Sequence, residues 1–305
     1  MKQYLAIDVG GTMTKYALVS DQGDLSEQGK QATVHSNLTD FTLAINQLIQ
    51  RYQTQIAGIG LALPGVVDPQ RGIVKACAAL PFLENVALTT HLADAAKITV
   101  PIALENDGNA AALAEFWRGQ LAGTTNSAMV VLGTGVGASL FIKGRLYTGS
   151  HQVGGEPSFM VTNGLRPITR DQTAAGLSAV KTVNAMAAAL NIHRAPLGPR
   201  VFQALKPNTP AAAILEIFTR GVAAMIYNMQ TVLDLEKVVI GGGISAQPRV
   251  IAAIQSGVAA YRDVTPLAAR TIQMPVIEAA KYRNEANLIG AVVPLLQRTS
   301  VHSKS

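Results

Sequence analysis

The sequence has a single cysteine, Cys77, in 305 residues. No internal disulfide can form, no zinc site built from several thiolates is available, and a reducing cytoplasm is the expected location. Charged residues are also scarce, at 14 %, but hydrophobic residues reach 49 %, and with 27 glycines and 14 prolines the composition is that of a globular protein. At about 100–200 residues per domain, this length predicts two lobes or one large α/β unit.

The basic residues lack any clustering. Lys and Arg number 25 against 19 Asp and Glu, a net charge of +6 that suits an anionic ligand such as a nucleotide. Because they are scattered singly, no stripe for DNA or RNA is expected. The N-terminus lacks a basic region followed by an apolar run, so no signal peptide is predicted. The longest uncharged stretch, between Arg118 and Lys143, contains glycines and polar residues, which makes a membrane span a poor interpretation.

Two β-rich runs flank a glycine pair near the N-terminus. Residues 4–9 and 15–20 lie on either side of Gly10-Gly11-Thr12, a pattern that predicts a hairpin of antiparallel strands. A further strand at 25–34, a helix at 37–52 with its apolar residues on one face, and a buried strand at 56–63 follow. These elements predict a mixed α/β lobe.

The same order of elements recurs in the second half of the chain. Strands at 127–132 and 138–142 flank a glycine turn at 133–137, which indicates a duplicated lobe. An alanine-rich helix at 106–118 connects the halves, and an apolar strand at 237–240 leads into three glycines. The predicted organisation is a small N-terminal lobe over 1–116, a large lobe over 117–283, and, over 284–305, a helix returning to the small lobe followed by a polar tail.

Three glycine-rich segments are candidates for a phosphate or nucleotide site. None is a P-loop, because the Gly-Lys-Ser/Thr closure before a helix is missing. Glycines let backbone N–H groups approach a phosphate closely, although each segment alone is equally compatible with an ordinary turn or strand-to-helix connection. The ordered set of three favours the nucleotide interpretation. The predicted nucleotide-binding residues in these segments are Gly10, Gly11, Thr12, Gly133, Thr134, Gly135, Gly137, Gly241, Gly242 and Gly243.

Asp8 and Lys15 flank the first of these segments. A carboxylate beside the phosphates can hold a hydrated Mg²⁺, and we expect Asp8 to do so, through water. Lys15 is expected to add positive charge at the phosphates.

The sharpest polar element is Glu105-Asn106-Asp107-Gly108-Asn109, placed between an apolar run and the alanine-rich helix. Asn106 or Asp107 can be an ordinary N-cap, since Asn and Asp lead the preferences for that position. The dipole of the helix favours the charged form of a carboxylate at its N-terminus. Asp107 is therefore expected to be ionised at neutral pH and able to accept a hydroxyl proton.

The ordered motifs resemble those of ROK-family sugar kinases and regulators, within the actin and hexokinase superfamily. The similarity runs from residue 7 to residue 291 and rests on Asp-x-Gly-Gly-Thr, Pro-Gly-x-x-Asp, Glu-Asn-Asp-x-Asn-Ala-Ala, Leu-Gly-Thr-Gly-Val-Gly, Gly-Gly-Glu and Ile-Gly-Gly-Gly-Ile. The resemblance implies an α/β fold of two ribonuclease-H-like lobes, with ATP and a sugar in the cleft of this actin-like ATPase architecture. It further implies Asp107 as general base, Asn106 and Glu156 as ligands of ring hydroxyls, and Gly65 as a sugar contact.

One departure from the family pattern concerns zinc. Many members carry a zinc-binding His three residues after the Glu of Gly-Gly-Glu, followed by a cysteine-rich run; here Phe159 takes the His position and no cysteine is near. We therefore expect no zinc, and an apolar wall at Phe159 where members have a His that touches the sugar. A further sugar-binding Glu has no clear match, and Gln172 is its candidate. The zinc-less pattern resembles the branch containing β-glucoside kinases.

The resulting hypothesis is a cytoplasmic, Mg²⁺-requiring carbohydrate kinase that phosphorylates a hydroxyl, C6 of a hexose or of a hexose unit in a β-glucoside. The alternative is a sugar-sensing regulator of the same family without its DNA-binding domain, since seven residues precede Asp8 where regulators carry a helix-turn-helix. The family resemblance also implies a homodimer.

Overall fold

The computed structural model of the protein describes residues 1–162 and 173–302. The chain forms two compact units. Unit 1 comprises residues 1–119, residues 150–153 and the described residues from 284 onward, and unit 2 comprises residues 120–149 and the described part of 154–283.

In the described ranges, the strands are β1 (Gln3–Val9), β2 (Met13–Ser20), β3 (Leu25–Ala32), β4 (Ile56–Leu63), β5 (Val66–Asp68), β6 (Ile73–Ala76), β7 (Ile102–Asn106), β8 (Ser127–Leu132), β9 (Val136–Ile142), β10 (Arg145–Tyr147), β11 (Lys237–Gly241) and β12 (Val276–Ala279). The helices are α1 (Leu38–Tyr52), α2 (Leu88–Ala96), α3 (Asp107–Arg118), α4 (Ala179–Ala189), α5 (Leu197–Ala204), α6 (Pro210–Leu233), α7 (Pro248–Arg262), α8 (Pro266–Thr271) and α9 (Ala286–His302).

The sheet of unit 1 has the order β3-β2-β1-β4-β7. Strands β1, β2 and β3 form an antiparallel meander, and β4 and β7 extend it in parallel. Successive side chains of a strand point to opposite faces. Leu5 and Ile7 of β1 accordingly pack on the face with α1 and α2, while Tyr4 and Ala6 pack on the face with α9. Asp8 continues the Tyr4 and Ala6 alternation, so its side chain points to the α9 face.

Two glycines set how closely α9 approaches its neighbours. A Cβ added at Gly290 of α9 would overlap the carbonyl oxygen of Ala110 in α3, and one added at Gly60 of β4 would overlap the carbonyl oxygen of Ala291. Backbone therefore lies against backbone on both sides of the helix. The position of α9 on the sheet is fixed by these contacts, because a side chain at either glycine would push the helix away.

The sheet of unit 2 repeats the topology of the first, in the order β10-β9-β8-β11-β12. An antiparallel β8–β9–β10 meander is again extended by two parallel strands. Its core joins the sheet to α4, α5, α6 and α7, with Phe202, Phe218 and Ile254 among the buried side chains. The recurring sequence pattern thus corresponds to a recurring topology.

The structure corrects several predicted boundaries. Strand β9 begins at Val136, inside the predicted glycine turn, because β pairing with β8 continues to Leu132 and Val136. Strand β12 was not predicted, since its four residues include Glu278 and lack the following glycines that mark β11 in the sequence. Helix α9 runs to His302, through most of the polar tail predicted at the end of 284–305, because polarity alone does not end a helix.

Of the described helices, α6 is the one whose length and hydropathy would allow it to cross a membrane. Its residues Leu215, Val222, Met225 and Ile226 are buried in the core of unit 2. The hydropathy of α6 is therefore explained by its place in that core.

Candidate active site

The junction of β7 and α3 holds the predicted general base. Asn106 ends β7 and is the N-cap of α3, where its Oδ1 accepts a hydrogen bond from the backbone N–H of Asn109 at 3.1 Å. Asp107 follows directly as the first residue of the helix. Because strand and helix are joined without a loop, the carboxylate of Asp107 lies at the carboxyl edge of the sheet.

One oxygen of Asp107 is held by two hydrogen bonds. Its Oδ1 accepts from the backbone N–H of Gly108 at 2.9 Å and from Nδ2 of Asn106 at 3.1 Å. Neither bond uses Oδ2. Burial raises the pKa of Asp107, the Gly108 N–H lowers it, and the nearby charge of Asp8 raises it again. The prediction from the helix dipole alone missed the effect of burial, which makes Asp107 more basic than an ordinary aspartate.

Asn106 also ties this junction to the turn after β4. Its Nδ2 donates to the carbonyl oxygen of Gly65 at 2.9 Å, in addition to the bond to Asp107. Gly65 has φ +102°, and an added Cβ would overlap the carbonyl oxygen of Ala76. The amide hydrogens of Asn106 are thus committed within unit 1, so any contact of Asn106 with a sugar would use Oδ1.

A second buried carboxylate, Glu105, supports the first turn of α3. Its exposed fraction is 4 %, and its Oε1 accepts from the backbone N–H of Asn106 at 2.9 Å and from Nδ2 of Asn109 at 3.1 Å. Burial raises the pKa of Glu105. Sequence reasoning included Glu105 in a motif without a role; the structure shows that it braces the residues on both sides of Asp107.

Asp8 lies at the end of β1, opposite Ala62 of β4, which in turn lies opposite Glu105 of β7. Its side chain is 8 % exposed. Asp8 Oδ1 accepts from Nδ2 of Asn287 at 3.1 Å, and Oδ2 lies 3.8 Å from Nζ of Lys15. Burial raises the pKa of Asp8, while Asn287 and Lys15 lower it. Asn287 was not a candidate from sequence, because it lies in no motif.

Some backbone N–H groups of the β1–β2 turn form hydrogen bonds within the protein, and others do not. The N–H of Gly10 donates to the carbonyl oxygen of Met13 at 3.0 Å, and Thr33 Oγ1 donates to the carbonyl oxygen of Gly10 at 2.7 Å. Gly10 therefore closes the turn. Within residues 1–162 and 173–302, the N–H groups of Gly11 and Thr12 have no acceptor, and a Cβ added at Gly11 would meet no atom within 4 Å. These two groups remain available to a ligand.

The β8–β9 turn of unit 2 is built in a similar way. The N–H of Gly133 donates to the carbonyl oxygen of Gly135 at 3.0 Å, and the carbonyl oxygen of Gly133 accepts from Val180 of α4 at 3.3 Å. Thr134 and Gly135 have N–H groups without an acceptor in the described part of the chain. A Cβ added at Gly133, Gly135 or Gly137 would meet no atom within 4 Å. Intramolecular packing therefore does not explain these glycines, whereas a close-lying ligand would.

The third glycine segment follows β11. Gly242 has φ +88°, and an added Cβ would overlap the carbonyl oxygen of Leu132, so the fold itself requires this glycine. Gly243 faces open space and begins a short 3-10 helix, Gly243–Ala246, ahead of α7. Gly241 ends the strand and lies against the side chain of Met129. The three positions therefore differ in what a side chain there would contact, and Gly243 is the one with open space for a ligand.

A cavity of about 400 Å³ joins the second and third glycine segments. It is lined by Leu132, Gly133, Ala179, Val180, Val183, Asn184, Gly198, Pro199, Phe202, Gly243, Ile244, Ala246 and Gln247. The lining is largely aliphatic, which suits a flat, uncharged group such as a nucleobase. Sequence reasoning found the glycines but none of the lining residues of α4 and α5, because such apolar helix positions look like ordinary core.

The remaining sugar-site candidates belong to a separate segment. Glu156 precedes the short 3-10 helix Pro157–Phe159, and its Oε2 accepts from Ser158 Oγ at 3.5 Å. The side chain of Phe159 is 78 % exposed. Gln172 lies outside the described residues. The described ranges contain no group of three His, Cys, Asp or Glu side chains arranged to hold a metal ion.

Comparisons with known proteins agree over nearly the whole chain. A model of the ROK family matches residues 4–298. The chain is 28 % identical to a β-glucoside kinase of Listeria innocua, over 97 % of this chain and 98 % of that protein. It is 26 % identical to an N-acetylmannosamine kinase of Haemophilus influenzae, over 94 % and 93 % of the two chains.

Among solved structures, a ROK family protein from Streptococcus pneumoniae in complex with sucrose superposes with a TM-score of 0.84. It has 27 % identity and covers 98 % of this chain and 99 % of that one. The fold of this chain is that of the actin-like ATPases, as the sequence predicted.

Proposed function

The chain belongs to the ROK family, and from that premise we propose that it is a carbohydrate kinase that transfers the γ-phosphate of ATP to a sugar hydroxyl. The observation that carries the proposal is the Asp107 carboxylate, with Oδ1 fixed by Gly108 and Asn106 at 2.9 and 3.1 Å and Oδ2 outside both bonds. A base held in one orientation is what removal of a hydroxyl proton requires. The relatives named as kinases, which align over nearly their full length, support the same reaction.

In this mechanism Oδ2 of Asp107 accepts the proton of the attacking hydroxyl. The helix N–H of Gly108 and the Asn106 amide keep the carboxylate oriented, and burial keeps it basic. Phosphoryl transfer passes through a loose transition state, so the protein contributes mainly alignment and neutralisation of charge. A base of raised pKa in a fixed position meets that need.

The donor nucleotide is assigned to the glycine segments and the aliphatic cavity of unit 2. We assign the base to the cavity lined by Val180, Phe202 and Ile244, and phosphate oxygens to the N–H groups of Thr134 and Gly135. In unit 1, Gly11 and Thr12 present equivalent donors. Backbone N–H groups that no intramolecular acceptor uses are suited to anionic oxygens.

Asp8 is the residue that would hold Mg²⁺. Its Oδ1 is occupied by Asn287, but Oδ2 is 3.8 Å from the half-exposed Lys15 and outside hydrogen-bond distance, so it can face a cation or its water. A single carboxylate with waters and phosphates is the usual set of Mg²⁺ ligands in kinases. When bound, the cation would neutralise charge on the phosphates. Lys15 adds a second positive charge beside Asp8.

For the acceptor we propose a hexose or a β-glucoside, phosphorylated at C6. Asn106, Gly65 and Glu156 are the proposed contacts to sugar hydroxyls, and Gln172 is a further candidate. Phe159 offers an exposed aromatic ring in the segment of Glu156, and such a ring favours the apolar face of a sugar or an aglycone. The similarity to a β-glucoside kinase supports this substrate class.

The experiment is a coupled ADP-release assay with purified protein, Mg²⁺ and ATP over glucose, mannose, fructose, N-acetylmannosamine and cellobiose. We expect turnover with at least one of them, fastest with the β-glucoside, and product analysis should locate the phosphate on C6. The matched control is Asp107→Asn, which should lower turnover of the same sugar at least 100-fold. Absence of turnover with all five sugars would contradict the proposal.

The proposal extends to assembly, location and metal content. We expect a cytoplasmic homodimer without zinc or affinity for nucleic acid or membranes. Light scattering after gel filtration, elemental analysis of the purified protein, and a DNA gel-shift would each test one of these expectations.

A further inference from the structure

One polar side chain of α9 reaches a buried carboxylate of the sheet. Asn287 Nδ2 lies 3.1 Å from Asp8 Oδ1, although the two residues are 279 positions apart in the chain. The neighbouring α9 residues on this face, Leu288, Val292 and Leu295, are buried and apolar. Asn287 itself is half-buried, and its amide donates to the buried carboxylate of Asp8 from a helix that is otherwise apolar towards the sheet.

The helix holds Asn287 in place over Asp8. Gly290, one turn further along α9, lies against the backbone of Ala110, and Ala291 lies against Gly60 of β4. Both contacts are between backbone atoms, which leaves α9 little freedom to slide or rotate. The amide of Asn287 is therefore presented to Asp8 from a rigid support.

The carboxylate of Asp8 depends on this amide. Within the described ranges, Asn287 is the one residue that donates a hydrogen bond to it, because Lys15 Nζ at 3.8 Å is too far away and is 43 % exposed. Because the side chain of Asp8 is only 8 % exposed, its carboxylate receives few hydrogen bonds from water. Since the amide is neutral, it orients Oδ1 without cancelling the negative charge that a cation requires.

We propose that Asn287 is a positioning residue, which holds Asp8 Oδ1 so that Oδ2 faces the metal ion of the metal–nucleotide complex. This inference rests on the proposed function, because that function assigns the cation to Asp8. Groups that orient a metal ligand through a hydrogen bond commonly change metal affinity by about 10–100-fold when removed. The effect should appear in the affinity for the metal-bound nucleotide, while the affinity for metal-free nucleotide should remain.

The test uses the full-length protein and calorimetric titration with AMPPNP, with and without saturating Mn²⁺. Asn287→Leu keeps the approximate volume and removes the donor, and Asn287→Ala removes the donor without a bulky replacement. Leu288→Val is the matched control, because it loosens the same helix at the adjacent buried position without touching Asp8. Thermal unfolding of each variant reports its effect on stability.

We expect the gain in AMPPNP affinity on adding Mn²⁺ to fall about 10-fold in Asn287→Leu and Asn287→Ala, and to be unchanged in Leu288→Val at a similar loss of stability. An unchanged gain in both Asn287 variants would overturn the inference. An equal loss in Leu288→Val would also overturn it, since the effect would then come from the packing of α9. A native protein whose AMPPNP affinity does not respond to Mn²⁺ would overturn it as well.

The sugar assay separates this inference from the proposed function. If the native protein phosphorylates none of the five sugars but the Asn287 variants lose the Mn²⁺ response, the positioning role stands and the kinase proposal fails. If the native protein is an active kinase and the Mn²⁺ response is the same in all variants, the kinase proposal stands and the positioning role fails.

Discussion

Replacing Asp107 by Asn removes one proton acceptor and leaves the surrounding hydrogen bonds in place. The Asn oxygen can occupy the position of Oδ1, where it still accepts from Gly108 N–H and Asn106 Nδ2. The new amide nitrogen then takes the place of Oδ2 and offers a donor where the reaction needs an acceptor. The substitution therefore isolates proton removal from the geometry of the junction.

The expected loss follows from the role of a general base, whose removal typically costs about 10²–10⁴-fold in rate. At about 1.36 kcal/mol per factor of ten, this is about 3–5 kcal/mol of transition-state stabilisation. Because Asp107 is buried and its pKa is raised, the variant also removes a carboxylate whose burial is unfavourable, so the variant should unfold no more easily than the native protein.

The assay measures kcat by coupled ADP release and sugar affinity by calorimetry. The matched control is Asp40→Asn, since Asp40 also lies in the first turn of a helix of unit 1 and its carboxylate also accepts hydrogen bonds, from Ser36 Oγ and Asn37 Nδ2, but it has no proposed role in the site. We expect kcat to fall at least 100-fold in Asp107→Asn, with little change in the sugar dissociation constant, and to remain native in Asp40→Asn. A kcat within a few-fold of native in Asp107→Asn would refute the assignment of the base.

Three further predictions concern the glycines, Phe159 and the pH dependence of the reaction. Gly135→Ala should raise KM for ATP and leave the unfolding temperature unchanged, because its Cβ meets no atom within 4 Å. Gly60→Ala should instead lower the free energy of unfolding by about 1–3 kcal/mol, because its Cβ overpacks against Ala291. Equal loss of stability in the two variants would contradict this reasoning. Phe159→Ala should raise KM for an aryl β-glucoside roughly 2–10-fold and leave KM for ATP unchanged, as expected for loss of about 0.5–1.5 kcal/mol of ring contact. Asp107 acts as a base only when it is ionised, and burial raises its pKa above the usual 3.8. On acidification, kcat/KM should therefore begin to fall at a higher pH than it would with an aspartate of ordinary pKa. A pH profile that is flat down to pH 4 would argue against Asp107 as the base.

The sequence predicted the local elements of both units because their signals are local. The β1–β2 hairpin around Gly10 follows from glycine preferences that act within a few residues. The N-cap was predicted at Asn106 or Asp107 from the preferences of these residue types, and the structure has it at Asn106. The duplicated topology was also predicted, since the same strand, glycine turn and strand order occurs twice. The boundaries of β9 and α9 were wrong, because each depends on pairing or packing partners that a local pattern does not contain.

The roles of the glycines could not be separated from sequence. Gly242 is required by its positive φ and by Leu132, whereas Gly135 and Gly243 have open space where a Cβ would lie. In the sequence, all three are simply glycines of a glycine-rich motif. The distinction matters for function, because a glycine that the fold does not require is the better indicator of a ligand.

The pKa of Asp107 is a second property of the site that the sequence alone could not predict. The helix dipole could be predicted from the position of Asp107, and it lowers the pKa of a carboxylate. Burial raises that pKa and is the largest of its causes in the structure, but burial depends on how β7, α3 and α9 pack, not on neighbours in sequence. The same packing brings Asn287 to Asp8 across 279 positions. A sequence motif thus identifies the groups proposed to take part in the reaction. The residues that orient those groups and raise or lower their pKa are identified only from the packing of the sheet and its helices.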